Sequence, residues 1–90
     1  METFEGSLVP AETFEVEARA ERIGRLLEAI GYPVAWVSDR SRLRDFVNDA
    51  TGREELVERV RRAYGVTLLP EDFERFLWQL VDELERRPRA

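Results

Sequence analysis

The chain has 90 residues, of which 43% are hydrophobic and 37% charged, with a formal net charge of −5; this is the profile of one small globular domain with a single core. Its mean hydropathy is −0.44, and its longest strictly apolar run is Val34-Ala35-Trp36-Val37, far short of the roughly 20 apolar residues that a membrane-crossing helix needs. Cys, His and Lys are absent, which excludes disulfides, thiolate nucleophiles, Cys- or His-based metal centres, the usual imidazole base and lysine Schiff-base chemistry.

Residues 1–10 show no sustained period and are expected to form a flexible N-terminal arm. No Lys or Arg precedes Arg19, so the N-terminus lacks the charged and apolar regions of a secretory signal, and a cytoplasmic location is expected. From Glu12 to Ile30, the positions Val16, Ala20, Ile23, Leu27 and Ile30 fall on one stripe with Leu26 beside it, which predicts one amphipathic helix. Gly31 stands where a left-handed C-terminal residue belongs, and Pro33 follows.

Tyr32-Pro33-Val34-Ala35-Trp36-Val37 has no partner strand, so a buried loop is expected. A short helical turn over Arg42–Val47 follows, with Leu43, Phe46 and Val47 inward and Ser38 or Asp39 as its cap. Thr51-Gly52-Arg53-Glu54 matches the S/T-x-x-E capping box and marks a helix start. Leu56, Val57, Val60, Ala63 and Tyr64 continue that helix on a 3.6-residue period until Gly65. Pro70-Glu71-Asp72 suits the head of a last helix, whose stripe is Phe73, Phe76, Leu77, Leu80, Val81 and Leu84. Pro88 ends it. Trp36 and Trp78 are both expected in the core, Trp78 either closing the side of the bundle or showing a partly exposed face. The fold predicted is all-α, a small four-helix bundle of three main helices and one short one over residues 11–87, with a tail at 88–90.

Charge is unevenly spread: residues 1–39 carry three Arg against eight acids, residues 40–62 seven against five, and residues 63–90 four against six. The basic middle, Arg40, Arg42, Arg44, Arg53, Arg59, Arg61 and Arg62, raises nucleic acid as a partner. The interleaved acids and a pI near 4.8 argue against it. Glu54, Glu55 and Glu58 each have an arginine at or near the i, i+4 position, the pattern of a solvated ion-pair face. No phosphate loop, dinucleotide fingerprint or calcium loop is present. Neither an enzyme, a metal site nor a membrane partner is expected.

Several short stretches then line up. Val37 to Phe46 reads as a long loop leading to a short turn, Asn48-Asp49-Ala50-Thr51 stands before the second long helix, and Glu55-Leu56-Val57, Tyr64-Gly65-Val66 and Leu69-Pro70-Glu71-Asp72 follow in order. In type and separation, over about residues 14–85, these stretches resemble the acyl carrier protein family. The resemblance implies an acyl-carrier-like bundle that docks on partner enzymes of a biosynthetic pathway and presents an acyl or peptidyl group on 4′-phosphopantetheine. It implies Asp49 and Ala50 as the place of arm attachment and Leu43, Phe46, Val60 and Leu80 as shelter for the acyl chain. Two departures qualify it. Ala50 stands where the family has the arm-bearing serine, so the chain as written takes no cofactor; either a serine has been replaced or this is a relative that no longer carries. On the partner-facing helix, Thr51, Glu54 and Glu58 stand where apolar residues are expected, and Arg61 and Arg62 where acids are, which favours acidic partners.

The alternative reading is a non-carrier helical interaction module or regulatory subunit, with Tyr32–Val37 and Trp78 supplying an apolar patch for another protein or a second copy.

Overall fold

The structure is a computed structural model that describes residues 12–88. The expected arm at residues 1–10 and the end of the expected tail lie outside the described residues. Among those described, four α-helices and no strand form a small all-α bundle: α1 Phe14–Ala18, α2 Ala20–Ile30, α3 Arg53–Tyr64 and α4 Leu77–Arg86. Two short 3-10 turns, Leu43–Phe46 and Pro70–Glu74, precede α3 and α4 respectively. α2 packs on α3 and α4, α1 packs on α2 and α4, and the two turns pack on each other. None of these helices is long and apolar enough to cross a membrane.

The core follows the sequence stripes closely. Ile23, Leu26, Leu27 and Ile30 of α2, Leu56 and Val60 of α3, and Leu77, Leu80, Val81 and Leu84 of α4 are buried together with Leu43, Val66, Leu68 and Phe73. Each such side chain contributes about 1.5–3 kcal/mol on transfer from water. Ala20 and Ala63, expected on the stripes, are exposed instead.

One helix over Glu12–Ile30 was expected, but the backbone breaks at Arg19, at φ −120° and ψ 31°. The short helix before the break is held at its start by a distant residue. The Asp39 carboxylate accepts the N–H groups of Glu15 at 3.0 Å and Val16 at 2.9 Å, so it caps α1, and not the 3-10 turn for which sequence spacing nominated it. That turn is closed by Asp45, which accepts the Arg42 N–H at 2.9 Å. Ser38 instead accepts the Arg40 N–H. Asp39 also donates its own N–H to the Glu12 carbonyl at 2.7 Å and accepts the Trp78 indole N–H at 3.0 Å. Arg19 locks the break from the other side, with Nε and Nη2 each 2.9 Å from an Asp82 oxygen.

The last helix is also split. Pro70 and the acids head a separate 3-10 turn, and α4 begins only at Leu77. Asp72 is wholly buried, because its carboxylate accepts the Leu69 N–H at 2.7 Å, Arg75 Nε at 2.9 Å, and Arg87 Nη1 and Nη2 at 2.7 and 2.8 Å. An isolated antiparallel bridge between Arg42 and Phe76 ties the long connection to the entry of α4.

The expected buried loop is the largest correction. Val34 is 94% exposed and Trp36 74%, while Ala35 and Val37 pack on the core. Pro33 and Val34 lie in a turn closed by the Ala35 N–H donating to the Tyr32 carbonyl at 3.1 Å, and the unbroken apolar run Val34–Val37 carries no polar alternation to say which of its side chains face water.

Gly31 and Gly65 end α2 and α3 in the left-handed conformation, at φ 94° and 70°. A Cβ at Gly31 would also lie 2.6 Å from Arg59 Nη1, the group that donates to the Ile30 carbonyl at 2.5 Å. Gly24 is exposed inside α2 with nothing within 4 Å of an added Cβ. Gly24→Ala is therefore expected to stabilise the fold by about 0.5–1 kcal/mol, and Gly31→Ala to destabilise it by about 1–2 kcal/mol. Urea unfolding of the two variants measures both, and equal midpoints would refute the assignment of the helix end.

Candidate functional site

The site nominated by sequence is the turn that leads into α3. Asn48, Asp49 and Ala50 are exposed, and one side chain shapes the turn. Asn48 Oδ1 accepts the N–H groups of Ala50 and Thr51, both at 2.8 Å, while its own N–H donates to the Thr51 carbonyl at 2.8 Å. This is the backbone-mimicking turn that Asn favours. Asn48 Nδ2 in turn donates to Tyr32 Oη at 3.0 Å, and Tyr32 Oη donates to Thr51 Oγ1 at 3.1 Å. Hydrogen bonds with Thr51 and with Asn48 hold the Tyr32 phenol below its ordinary pKa. Phe46 braces the Tyr32 ring at 5.2 Å between centroids.

Thr51 differs from expectation twice. It is buried and so does not belong to a partner-facing surface, and its hydroxyl is engaged by Tyr32. Gly52, in extended conformation and with no side-chain cap, is the residue that opens α3. Among the nominated residues, the structure places Asp49, Ala50 and Glu54 at the exposed start of α3 and groups Glu58, Arg61 and Arg62 further along the same helix. Glu58 accepts from Arg61 Nη2 at 2.6 Å and Arg62 Nη2 at 3.4 Å. The Arg61 hydrogen bond, ahead of Arg62, keeps Glu58 below the usual carboxylate range, and Glu58 raises Arg61 in return. The three form one exposed cluster with a net positive charge.

Most of the other arginines of the basic middle meet acidic side chains. Arg42, Arg44 and Arg53 converge on Glu74 at 4.0, 2.7 and 3.9 Å. Arg59 pairs with Glu55 at 2.9 Å.

The phosphopantetheine group does not fit the residues present. Ala50 has no side-chain oxygen to form the phosphodiester, and the proposed shelter is closed: Leu43, Val60 and Leu80 have no exposure and pack within one continuous core, with Phe46 against it. The open apolar groove beside α3, of about 280 Å³, is lined instead by Val57, Leu68, Leu69, Pro70 and Phe73, with Arg53 at its edge. Arg53 lies 4.5 Å from the centre of the Phe73 ring. Among the described residues, no three or more His, Cys, Asp or Glu side chains are grouped to hold a metal.

Comparison with family models, curated proteins and solved structures finds no match. The sequence names Asn48 and Asp39 without their roles: the Asn-Asp pair before a helix is a turn signal for Asn48, whereas the role of Asp39 rests on contacts 23 and 24 residues away.

Proposed function

We propose that this chain is a carrier-like docking domain that is not itself loaded: it offers the exposed turn Asn48–Ala50 and the exposed side of α3 to a partner protein and acts by binding rather than by catalysis. The observation that carries the reading is the position of Ala50, exposed at the mouth of α3 and fixed there by Asn48. The order of elements supports it as well, with a long connection and a short turn before that helix and a 3-10 turn after it. The positive Glu58, Arg61 and Arg62 cluster favours an acidic partner.

The test is intact mass of the chain and of Ala50→Ser after incubation with coenzyme A and a promiscuous phosphopantetheinyl transferase. A gain of one arm in Ala50→Ser alone is expected. No gain in either would reduce the resemblance to architecture. The second reading, a non-carrier interaction module, would then stand on the exposure of Val34 and Trp36, because a solvent-facing Trp is a common anchor of protein interfaces.

A further inference from the structure

A second surface lies away from α3. An open groove of about 640 Å³ runs between α1, residues 39–45 and the entry to α4, and no residue of α3 lines it. Its apolar lining is aromatic: Phe14, Phe76 and Trp78. Phe14 is 74% exposed, and the Phe76 and Trp78 rings stack with centroids 6.3 Å apart. Arg42 covers the Phe76 ring at 4.8 Å.

Arg40, Arg42 and Arg44 line this groove together with Glu12, Glu15, Asp39 and Asp45. By count the charges nearly cancel, but their availability differs. Asp39 is occupied by the α1 amides, Asp45 by the Arg42 N–H and Glu15 by Arg19 at 2.7 Å. On the basic side, Arg44 is paired with Glu74 at 2.7 Å, whereas Arg42 reaches Glu74 only at 4.0 Å. Among the described residues, Arg40 has no carboxylate in ion-pair range. Asp39 and Asp45 keep their charge, since backbone N–H groups do not neutralise a carboxylate, and Glu12 has no cationic partner among the described residues; what the groove offers an incoming carboxylate is the N–H donors of Arg40 and Arg42 beside an aromatic wall.

We propose that this groove binds an acidic peptide segment of another protein, one whose carboxylates pair with Arg40 and Arg42 while an aromatic or aliphatic side chain packs on Phe14, Phe76 and Trp78. The combination suits peptide chemistry, since charge sets encounter and orientation and the buried aromatic contact supplies affinity. Binding here is independent of Ala50 and α3, so it stands or fails separately from the carrier-like reading.

The experiment is fluorescence anisotropy of a short labelled peptide alternating glutamate and phenylalanine, titrated with the full chain; an arginine-phenylalanine peptide is the charge-reversed control. Saturable binding of the acidic peptide is expected, weakening as salt rises toward about 0.5 M. The double variant Arg40→Ser with Arg42→Ser is expected to lose roughly fivefold in affinity, as for two partly exposed ion pairs. Phe14→Ser, at an exposed position, is expected to lose about tenfold, the cost of one aromatic anchor. Trp36→Ser, outside the groove, is expected to bind as the parent does, and circular dichroism checks that each variant is folded. Absence of binding at about 1 mM peptide, equal binding of both peptides, or a loss confined to Trp36→Ser would overturn the proposal. So would a concentration-dependent dimer abolished by Phe14→Ser, which would give the groove to a second copy.

Discussion

Asp72→Ala is expected to lower the unfolding free energy by about 3–5 kcal/mol, the range for stripping one partner from a buried ion pair. The melting temperature of so small a domain then falls on the order of 20 °C. Asp72 has no exposure, and Arg87, its main partner, has a side chain only 14% exposed, so neither charge regains full solvation when the other is removed. The pair also joins the Pro70–Glu74 turn to the end of α4. Burial opposes the Asp72 charge, yet hydrogen bonds from Arg87, from the Leu69 N–H and from Arg75 outweigh it and hold the carboxyl below its ordinary pKa. The sign of the pH effect follows. A depressed carboxylate stabilises the fold above its unfolded pKa of about 4, and that contribution is lost as pH falls through the lower folded value. Thermal unfolding followed from neutral pH downward should therefore decline below about pH 4 in the parent and less steeply in Asp72→Asn. Parent-like melting of Asp72→Ala would show that the pair merely breaks even against hydration.

Leu43→Ala is expected to cost about 3 kcal/mol, within the range for truncating a fully buried leucine. Leu43 is the only fully buried apolar side chain between Gly31 and Gly52, so it is the deepest anchor of the connection in the core, with Ala35, Val37 and Phe46 packed more shallowly. The bridge from Arg42 to Phe76 depends on that anchor. The matching comparison is Trp36→Ser, expected to shift stability by no more than about 0.5 kcal/mol, as for an exposed site. Equal losses in the two variants, read by urea unfolding, would mean that the connection packs in a different register.

These two residues also mark what the sequence conveyed and what it withheld. Leu43 was legible because its neighbours form a short apolar pattern between polar residues, and the glycines at 31 and 65 were legible because a left-handed helix end is a local requirement. The break at Arg19 was not: no Gly or Pro marks it, and the partner that holds Arg19 there is Asp82, 63 residues along the chain. Nor was the division before α4: Asp72 looks like an ordinary acid at a helix start until Arg87 is brought against it. At the candidate site, the turn before α3 was legible from the helix patterns on either side of it, whereas Thr51 was misassigned. A Thr followed three residues later by Glu fits a capping box, but the neighbouring Asn48 captures the turn first. Trp36 failed for a further reason: a run made only of apolar residues carries no pattern that says which of them face water.

Asp39 has a consequence for how the molecule fluctuates. The same residue holds two amides of α1, the carbonyl of Glu12 and the indole of Trp78, so displacing it frees all of them at once. α1 and the adjoining part of the connection thus form one cooperative opening unit. The Ala50 turn hangs on a separate set of bonds through Asn48, Tyr32 and Thr51. The long connection is therefore divided energetically into two segments: one governs whether the aromatic groove exists, and the other keeps the mouth of α3 in place while the first breathes.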